Sequence, residues 1–90
     1  MSHHPSSLSL EDTLTEIRRR ISEAIPGCEV QAEGGGGHFT IEVVSDAFEG
    51  LNTLKKQRMV LRAIKELMAG DQAPVHAVDS LKTYTPAQKA

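Results

Sequence analysis

The apolar residues of the first third of the chain recur at spacings of three and four, the period of an amphipathic helix. Ser9 precedes this stripe and is a favoured N-cap residue, with Asp12 three positions on as a short capping-box partner. Pro26-Gly27 ends the pattern, so we predict one helix between these points. Its predicted buried positions are Leu10, Leu14, Ile17, Ile21, Ala24 and Ile25.

Two segments with a period of two follow, which indicates two strands that each bury one face. Their apolar positions are Cys28, Val30 and Ala32 in the first, and Phe39, Ile41 and Val43 in the second. We expect all four glycines from Gly34 to Gly37 to form the loop of an antiparallel hairpin, because such a run is too flexible for the interior of a strand. A phosphate-binding function is disfavoured, since glycine-rich phosphate loops open a helix rather than a strand.

A turn is predicted at 46–50, followed by helical sequence over 51–69. The apolar arc of this helix comprises Leu54, Val60, Leu61, Ile64, Leu67 and Met68. Gln57 falls in the middle of that arc, which conflicts with one straight amphipathic helix. We therefore predict a break near Lys56, with a short helix followed by a longer one, an arrangement that resembles a helix-turn-helix.

The last strand is predicted at 75–83, where Asp79 interrupts the alternation and indicates a β-bulge. A strand–helix–strand connection takes a right-handed crossover, so this third strand should run parallel to the second. The helices must then cover one face of a three-stranded mixed sheet, which gives a two-layer α+β fold. We expect one domain over 9–86, a disordered N-terminal tail at 1–8 and a short tail at 87–90.

Composition places the chain among ordinary single-domain globular proteins and narrows its partners. It has 90 residues, 39% hydrophobic and 24% charged, with a net charge of −2 and one cysteine. The charge gives no bulk attraction to nucleic acid or to an anionic membrane. A single cysteine and the lack of an apolar span or signal-like segment predict a cytoplasmic protein. No catalytic motif is present, so we do not expect an enzyme.

Two histidines are placed for metal chemistry by the predicted topology. His38 precedes the second strand and His76 begins the third, so both should lie at the same sheet edge, on strands about 4.8 Å apart. Two imidazoles do not complete a tetrahedral shell, so either the site is not metallic or a partner supplies the other ligands. Cys28 begins the antiparallel first strand, about 17 Å from that edge, and is predicted to be a small core residue.

A basic stripe runs along the predicted second helix over about 80° of its circumference. It consists of Lys55, Arg58, Arg62 and Lys65, with Lys56 beside it. Such a stripe could contact a nucleic-acid backbone, or it could be a solvated face or an electropositive surface for a protein partner. The chain has only three aromatic residues, which leaves little capacity to stack on single-stranded bases.

Several short motifs resemble the BolA family, most closely its short bacterial members, over about Leu10 to Pro86. The motifs are Gly37-His38-Phe39, Phe48-Glu49-Gly50, Lys56-Gln57-Arg58-Met59-Val60, Val75-His76-Ala77-Val78 and Tyr84-Thr85-Pro86. The resemblance implies a class II KH-like fold. Gln57 departs from it, since many members have histidine there, and no tryptophan follows Pro86, so we expect no C-terminal helix.

The resemblance also implies a function in iron–sulfur trafficking and iron homeostasis. Members of the family pair with a monothiol glutaredoxin, whose cysteine and glutathione hold one iron of a shared 2Fe–2S cluster. The resemblance gives His76 as a ligand of the cluster and a second ligand from the hairpin loop, for which His38 is the candidate; no cofactor is expected in the isolated protein. The alternative is a DNA-binding stress-response transcriptional regulator that uses the helix-turn-helix-like region. A third hypothesis is an interaction module without a metal.

Overall fold

The computed structural model describes residues 8–90 and has the predicted order of helices and strands, with three short helical segments added. The elements are α1 (Leu10–Ala24), β1 (Glu29–Gly35), β2 (His38–Val44), a 3-10 turn (Asp46–Phe48), α2 (Thr53–Ala63), a second 3-10 turn (Lys65–Met68), β3 (Ala77–Tyr84) and α3 (Pro86–Lys89). The tail predicted at 1–8 lies outside the described residues except for Leu8.

Helix α1 begins where the sequence predicts, and most of its apolar stripe is buried. The Ser9 hydroxyl accepts a hydrogen bond from the Asp12 amide at 3.0 Å, as expected of an N-cap. Leu10 and Ala24, which we predicted to be buried, are exposed. Leu10 extends over Gly35, which has no side chain to cover it. The buried part of the stripe is Leu14, Ile17, Ile21 and Ile25.

The sheet has the predicted topology, with β2 in the centre. Strands β1 and β2 form an antiparallel hairpin, and β2 pairs with β3 in parallel. Phe39, Ile41 and Val43 of β2 are buried, whereas Thr40 between them is exposed. One face of the sheet is therefore covered by the helices and the other is open, which confirms the two-layer α+β fold.

The hairpin turn is tighter than predicted. Gly34 and Gly35 continue β1 and pair with Phe39 and His38, so the expected four-residue loop is wrong. Only Gly36 and Gly37 form the turn, with φ angles of +63° and +84°. Positive φ at both central residues is the requirement of a two-residue type I′ turn, whose twist matches that of the flanking strands.

Helix α2 is continuous through Gln57, so the predicted break near Lys56 is wrong. The Gln57 side-chain amide donates to the carbonyl oxygen of Leu81 in β3 at 3.3 Å, which satisfies this polar group inside the domain. The α-helix ends instead at Ala63, with Ile64 as its C-cap, and passes into the second 3-10 turn. Residues 46–68 thus form one α-helix between two 3-10 turns in place of the helix-turn-helix we expected.

The buried face of α2 is rotated from the predicted apolar arc. Leu54 and Leu61 are 55% and 37% exposed, although both were assigned to the core. The face that is buried includes a lysine, whose ammonium is hydrogen-bonded to α3. The buried positions of this region are Lys56, Val60, Ile64 and Leu67.

Strand β3 contains the predicted bulge but begins two residues later than expected. Phe39 pairs with Val78 and Thr40 pairs with Ser80, so Asp79 is the extra residue. At the end of β3, Thr85 and Gln88 form a capping box that starts α3, where we expected a tail. Val75 and His76 precede the strand and do not belong to it.

Candidate metal-binding site at the sheet edge

His38 and His76 lie at the same end of two adjacent parallel strands, as the topology predicted. His38 is the first residue of β2 and pairs with Ala77, the first residue of β3. His76 directly precedes Ala77, and both histidines are exposed. The edge therefore presents two imidazoles to solvent on neighbouring segments. Neutral imidazole nitrogens are common ligands for transition metals.

The imidazole of His38 is oriented by a carboxylate from β3. Its Nδ1 lies 3.0 Å from Oδ1 of Asp79, the bulge residue. An ionised carboxylate only accepts hydrogen bonds, so in this contact Nδ1 carries the hydrogen and Nε2 is the nitrogen free to act as a ligand. The broken alternation at Asp79 predicted a bulge but gave no sign that this residue contacts the site.

The segment that carries His76 is fixed to the hairpin turn. The carbonyl oxygen of Gly37 accepts hydrogen bonds from the amides of His76 and Ala77, at 2.8 and 3.0 Å. A Cβ atom on Gly37 would lie only 2.7 Å from Cδ2 of the His76 ring, so the imidazole packs directly against this glycine. The run of glycines predicted only a flexible loop, so this contact could not be foreseen from it.

Cys28 lies at the opposite end of the sheet. It directly precedes Glu29, which pairs with Val44, whereas the other end of the hairpin is the pair of Gly35 and His38. Six residues of strand separate the two ends, or about 20 Å. Cys28 is half-buried, and desolvation by burial raises the pKa of its thiol. Its position agrees with a packing residue rather than a ligand beside the histidines.

The histidine pair does not extend into a larger metal-binding group. Across residues 8–90, no three or more His, Cys, Asp and Glu side chains are arranged to hold a metal ion together. The chain thus brings two imidazoles and one carboxylate to this edge. No helix in the part of the chain described by the structure has the length and apolar character to cross a membrane.

The basic stripe is present along α2 and the start of the second 3-10 turn, with one correction. Lys55, Arg58, Arg62 and Lys65 are exposed, as predicted. Lys56 is only 5% exposed, and its ammonium donates to Oε1 of Gln88 in α3 at 3.0 Å. We had included Lys56 in the nucleic-acid or partner surface. That assignment is wrong, because the side chain is buried in the domain and its ammonium is hydrogen-bonded to α3.

An α+β domain with this element order and a mixed β1-β2-β3 sheet is of the class II KH-like type. The chain belongs to the BolA-like family, whose model, described as BolA-like protein, matches residues 7–88. Acid stress protein IbaG of Escherichia coli strain K12 is 37% identical over 75 residues, which cover 83% of this chain and 86% of that protein. The predicted resemblance, including that to short bacterial members, is confirmed.

A human relative and two solved structures are also similar to this chain. Human BolA-like protein 1 is 38% identical over 82 residues, which cover 80% of this chain and 57% of that protein. A BolA protein homologue from Coxiella burnetii has a solved structure with a TM-score of 0.71 and 35% identity, covering 91% of this chain and 96% of that one. The BolA domain of SufE1 from Arabidopsis thaliana has a TM-score of 0.69 at 27% identity, covering 88% and 98%.

Proposed function

We propose that the protein is a non-enzymatic adaptor that pairs with a monothiol glutaredoxin to bind or deliver a 2Fe–2S cluster, with His76 and His38 as its ligands. The observation that carries this proposal is the placement of two exposed imidazoles at one end of adjacent parallel strands. Membership of the BolA-like family supports it. The cluster is the cargo of this adaptor.

The number of imidazoles, two, equals the number of protein ligands that one iron of a 2Fe–2S cluster needs. Each iron of a 2Fe–2S cluster needs two ligands besides the bridging sulfides, and two histidines can replace two cysteines on one iron. His38 and His76 would serve that iron, while the glutaredoxin cysteine and the thiolate of glutathione serve the other. The hydrogen bond from His38 Nδ1 to Asp79 supports this assignment, because metal-binding histidines commonly donate their other ring nitrogen to a carboxylate.

The test is reconstitution of the cluster with a monothiol glutaredoxin, followed by visible absorption, circular dichroism and the reduction potential. We expect a spectrum distinct from that of the all-thiolate glutaredoxin homodimer and a higher reduction potential, as histidine ligation produces. His76→Ala should leave the fold intact, because truncation of an exposed side chain costs little stability. It should nevertheless give a labile or spectrally shifted complex. An unchanged spectrum and cluster lifetime would remove His76 from the site.

A matched pair of variants separates the two candidates for the second ligand. His38→Ala should shorten cluster retention, whereas Cys28→Ser should not, because Cys28 lies at the far end of the hairpin. Retention is followed by absorbance decay, and transfer by the activity of an apo-ferredoxin acceptor. Loss of the cluster in Cys28→Ser and retention in His38→Ala would overturn the ligand assignment.

A second candidate function is DNA binding, favoured by four exposed cations on α2 and the start of the second 3-10 turn, Lys55, Arg58, Arg62 and Lys65. Four phosphate contacts give a salt slope of about −3.6, so affinity should fall about 150-fold between 50 and 200 mM salt. We expect weak binding without sequence preference, because the chain is net acidic. A tight, sequence-specific footprint at physiological salt would instead favour the regulator. The E. coli relative is named for acid stress, which is compatible with either function.

A further inference from the structure

Each of the two imidazoles is contacted by a residue from the other segment of the site. The ring of His76, which precedes β3, packs against Gly37 of the β1–β2 turn. The ring of His38, at the start of β2, is hydrogen-bonded to Asp79 of β3. The hairpin thus contacts the histidine that precedes β3, and β3 contacts the histidine at the start of β2.

The contact with Gly37 leaves no room for a side chain at that position. A Cβ there would lie 2.7, 2.9 and 3.2 Å from Cδ2, Cγ and Cβ of His76. Since Cγ and Cβ are near the backbone, rotation of the imidazole ring by itself does not remove the overlap. The neighbouring Gly36 also has positive φ, but a Cβ there would meet nothing within 4 Å. Close approach of His76 is therefore specific to Gly37.

The contact with Asp79 exists because of the bulge. Val78 and Ser80 pair with the consecutive residues Phe39 and Thr40, which leaves Asp79 as the extra residue of β3, with its carboxylate on His38. Both side chains are more than half exposed, at 58% and 57%. A polar contact this exposed shifts an equilibrium by at most about five-fold, so it contributes little to the stability of the fold. A shift of that size nevertheless changes the ratio of the two tautomers of an imidazole by a measurable amount.

We propose that Gly37 and Asp79 are positioning residues that orient His76 and His38 before any partner or cluster is bound. Gly37 holds the His76 segment through two hydrogen bonds and ring contact, and Asp79 holds His38 at Nδ1, which leaves Nε2 as the nitrogen free to act as a ligand. A ligand pair that is already ordered loses less side-chain freedom when the cluster is shared. The inference rests on the proposed function, since it takes the two oriented imidazoles to be ligands of the shared 2Fe–2S cluster.

The part that concerns Asp79 is tested on the free protein by the tautomer of His38, measured with long-range proton–nitrogen NMR of ¹⁵N-labelled imidazoles. In the wild type we expect a larger fraction of the Nδ1–H tautomer than in Asp79→Ala, by up to about five-fold. Asp79→Glu, whose carboxylate also only accepts, should restore part of this fraction, whereas an Asn amide could either accept from Nδ1 or donate to it. His76 serves as the internal control. An unchanged tautomer ratio in Asp79→Ala would overturn the role of Asp79.

The part that concerns Gly37 is tested by Gly37→Ala against Gly36→Ala. Both changes place alanine at positive φ, so both carry backbone strain, and only Gly37→Ala adds the overlap with His76. We expect the ring signals of His76 to move in Gly37→Ala and to stay in Gly36→Ala. If Gly37→Ala is too unstable for NMR, unfolding measurements in a His76→Ala background replace them, since that truncation removes the ring.

In the second design, Gly37→Ala should cost less stability when His76 is alanine, whereas the cost of Gly36→Ala should not depend on residue 76. The role of Gly37 would be overturned if Gly37→Ala and Gly36→Ala moved the His76 ring signals equally. It would also be overturned if the stability cost of Gly37→Ala were the same with and without the His76 ring. The glutaredoxin complex separates this inference from the proposed function. Altered rings in the free protein together with an unaltered cluster spectrum would refute the ligand assignment and leave the positioning contacts established.

Discussion

The contact between α2 and α3 predicts that removing one side-chain amide, that of Gln88, lowers the stability of the domain substantially. Oε1 of Gln88 accepts a hydrogen bond from the Thr85 amide at 2.8 Å and another from the ammonium of Lys56 at 3.0 Å. Lys56 is only 5% exposed. Gln88→Ala therefore removes half of a capping box and also leaves a buried ammonium without its partner. The second consequence should be the larger one, because an unpaired buried charge loses its hydration without compensation.

The magnitude follows from the two bonds. Loss of a helix cap costs about 1 kcal/mol, and removal of the partner of a charged group costs about 1.5–3 kcal/mol. Gln88 lies in an exposed terminal turn where water can partly replace its oxygen, so the lower part of that range applies. We expect Gln88→Ala to lower the free energy of unfolding by about 2–3 kcal/mol. In a domain of this size, that corresponds to a Tm about 8–24 °C lower.

The cause of this loss, the unpaired ammonium of Lys56, is tested with Lys56→Met as a second variant. Stability is measured by urea unfolding followed by circular dichroism. Lys56→Met replaces the ammonium with an apolar side chain, so it should change stability by less than about 1 kcal/mol. Gln88→Ala should then cost only the cap, about 1 kcal/mol, in the Lys56→Met background. Lys55→Met is the exposed control and should stay within about 0.5 kcal/mol of the wild type. An equal cost of Gln88→Ala in both backgrounds would refute the argument.

Three further predictions concern other parts of the domain. Burial raises the pKa of Cys28, so its alkylation near pH 8 should be slower than that of free cysteine, and equal rates would contradict this. Hydrogen bonds from Arg19 and then Arg20 lower the pKa of Glu16 from 4.5 to about 2. The stability from this lowered pKa is present above the unfolded pKa and is lost as the pH falls through about 2, so unfolding of Glu16→Gln should depend less on pH between 5 and 2. Ile41→Ala, at a fully buried position of β2, should cost about 2–5 kcal/mol in urea unfolding, and a loss below 1 would place this residue outside the core.

The sequence by itself was sufficient for α1, the three strands and their topology, because these follow from short-range periodicity and general connection rules. Spacings of three and four located α1, and alternation located β1 and β2. The interruption at Asp79 located the bulge, and the crossover rule made β3 parallel to β2. The shared edge of His38 and His76 follows directly from that topology, so the candidate site could be located without coordinates.

The tertiary structure alone decided which polar residues are inside and what contacts the histidines. Gln57 could not be assigned from its helix, because its partner is the carbonyl of Leu81, 24 residues further on. The spacing of the basic residues placed Lys56 beside the basic surface, but its ammonium is hydrogen-bonded to Gln88 of α3, 32 residues away. These contacts, like that of Asp79 with His38, join residues far apart in the chain and leave no periodic pattern. A pattern of apolar spacings records which face of an element is buried on average, whereas the partner of a single polar group depends on the packing of distant segments.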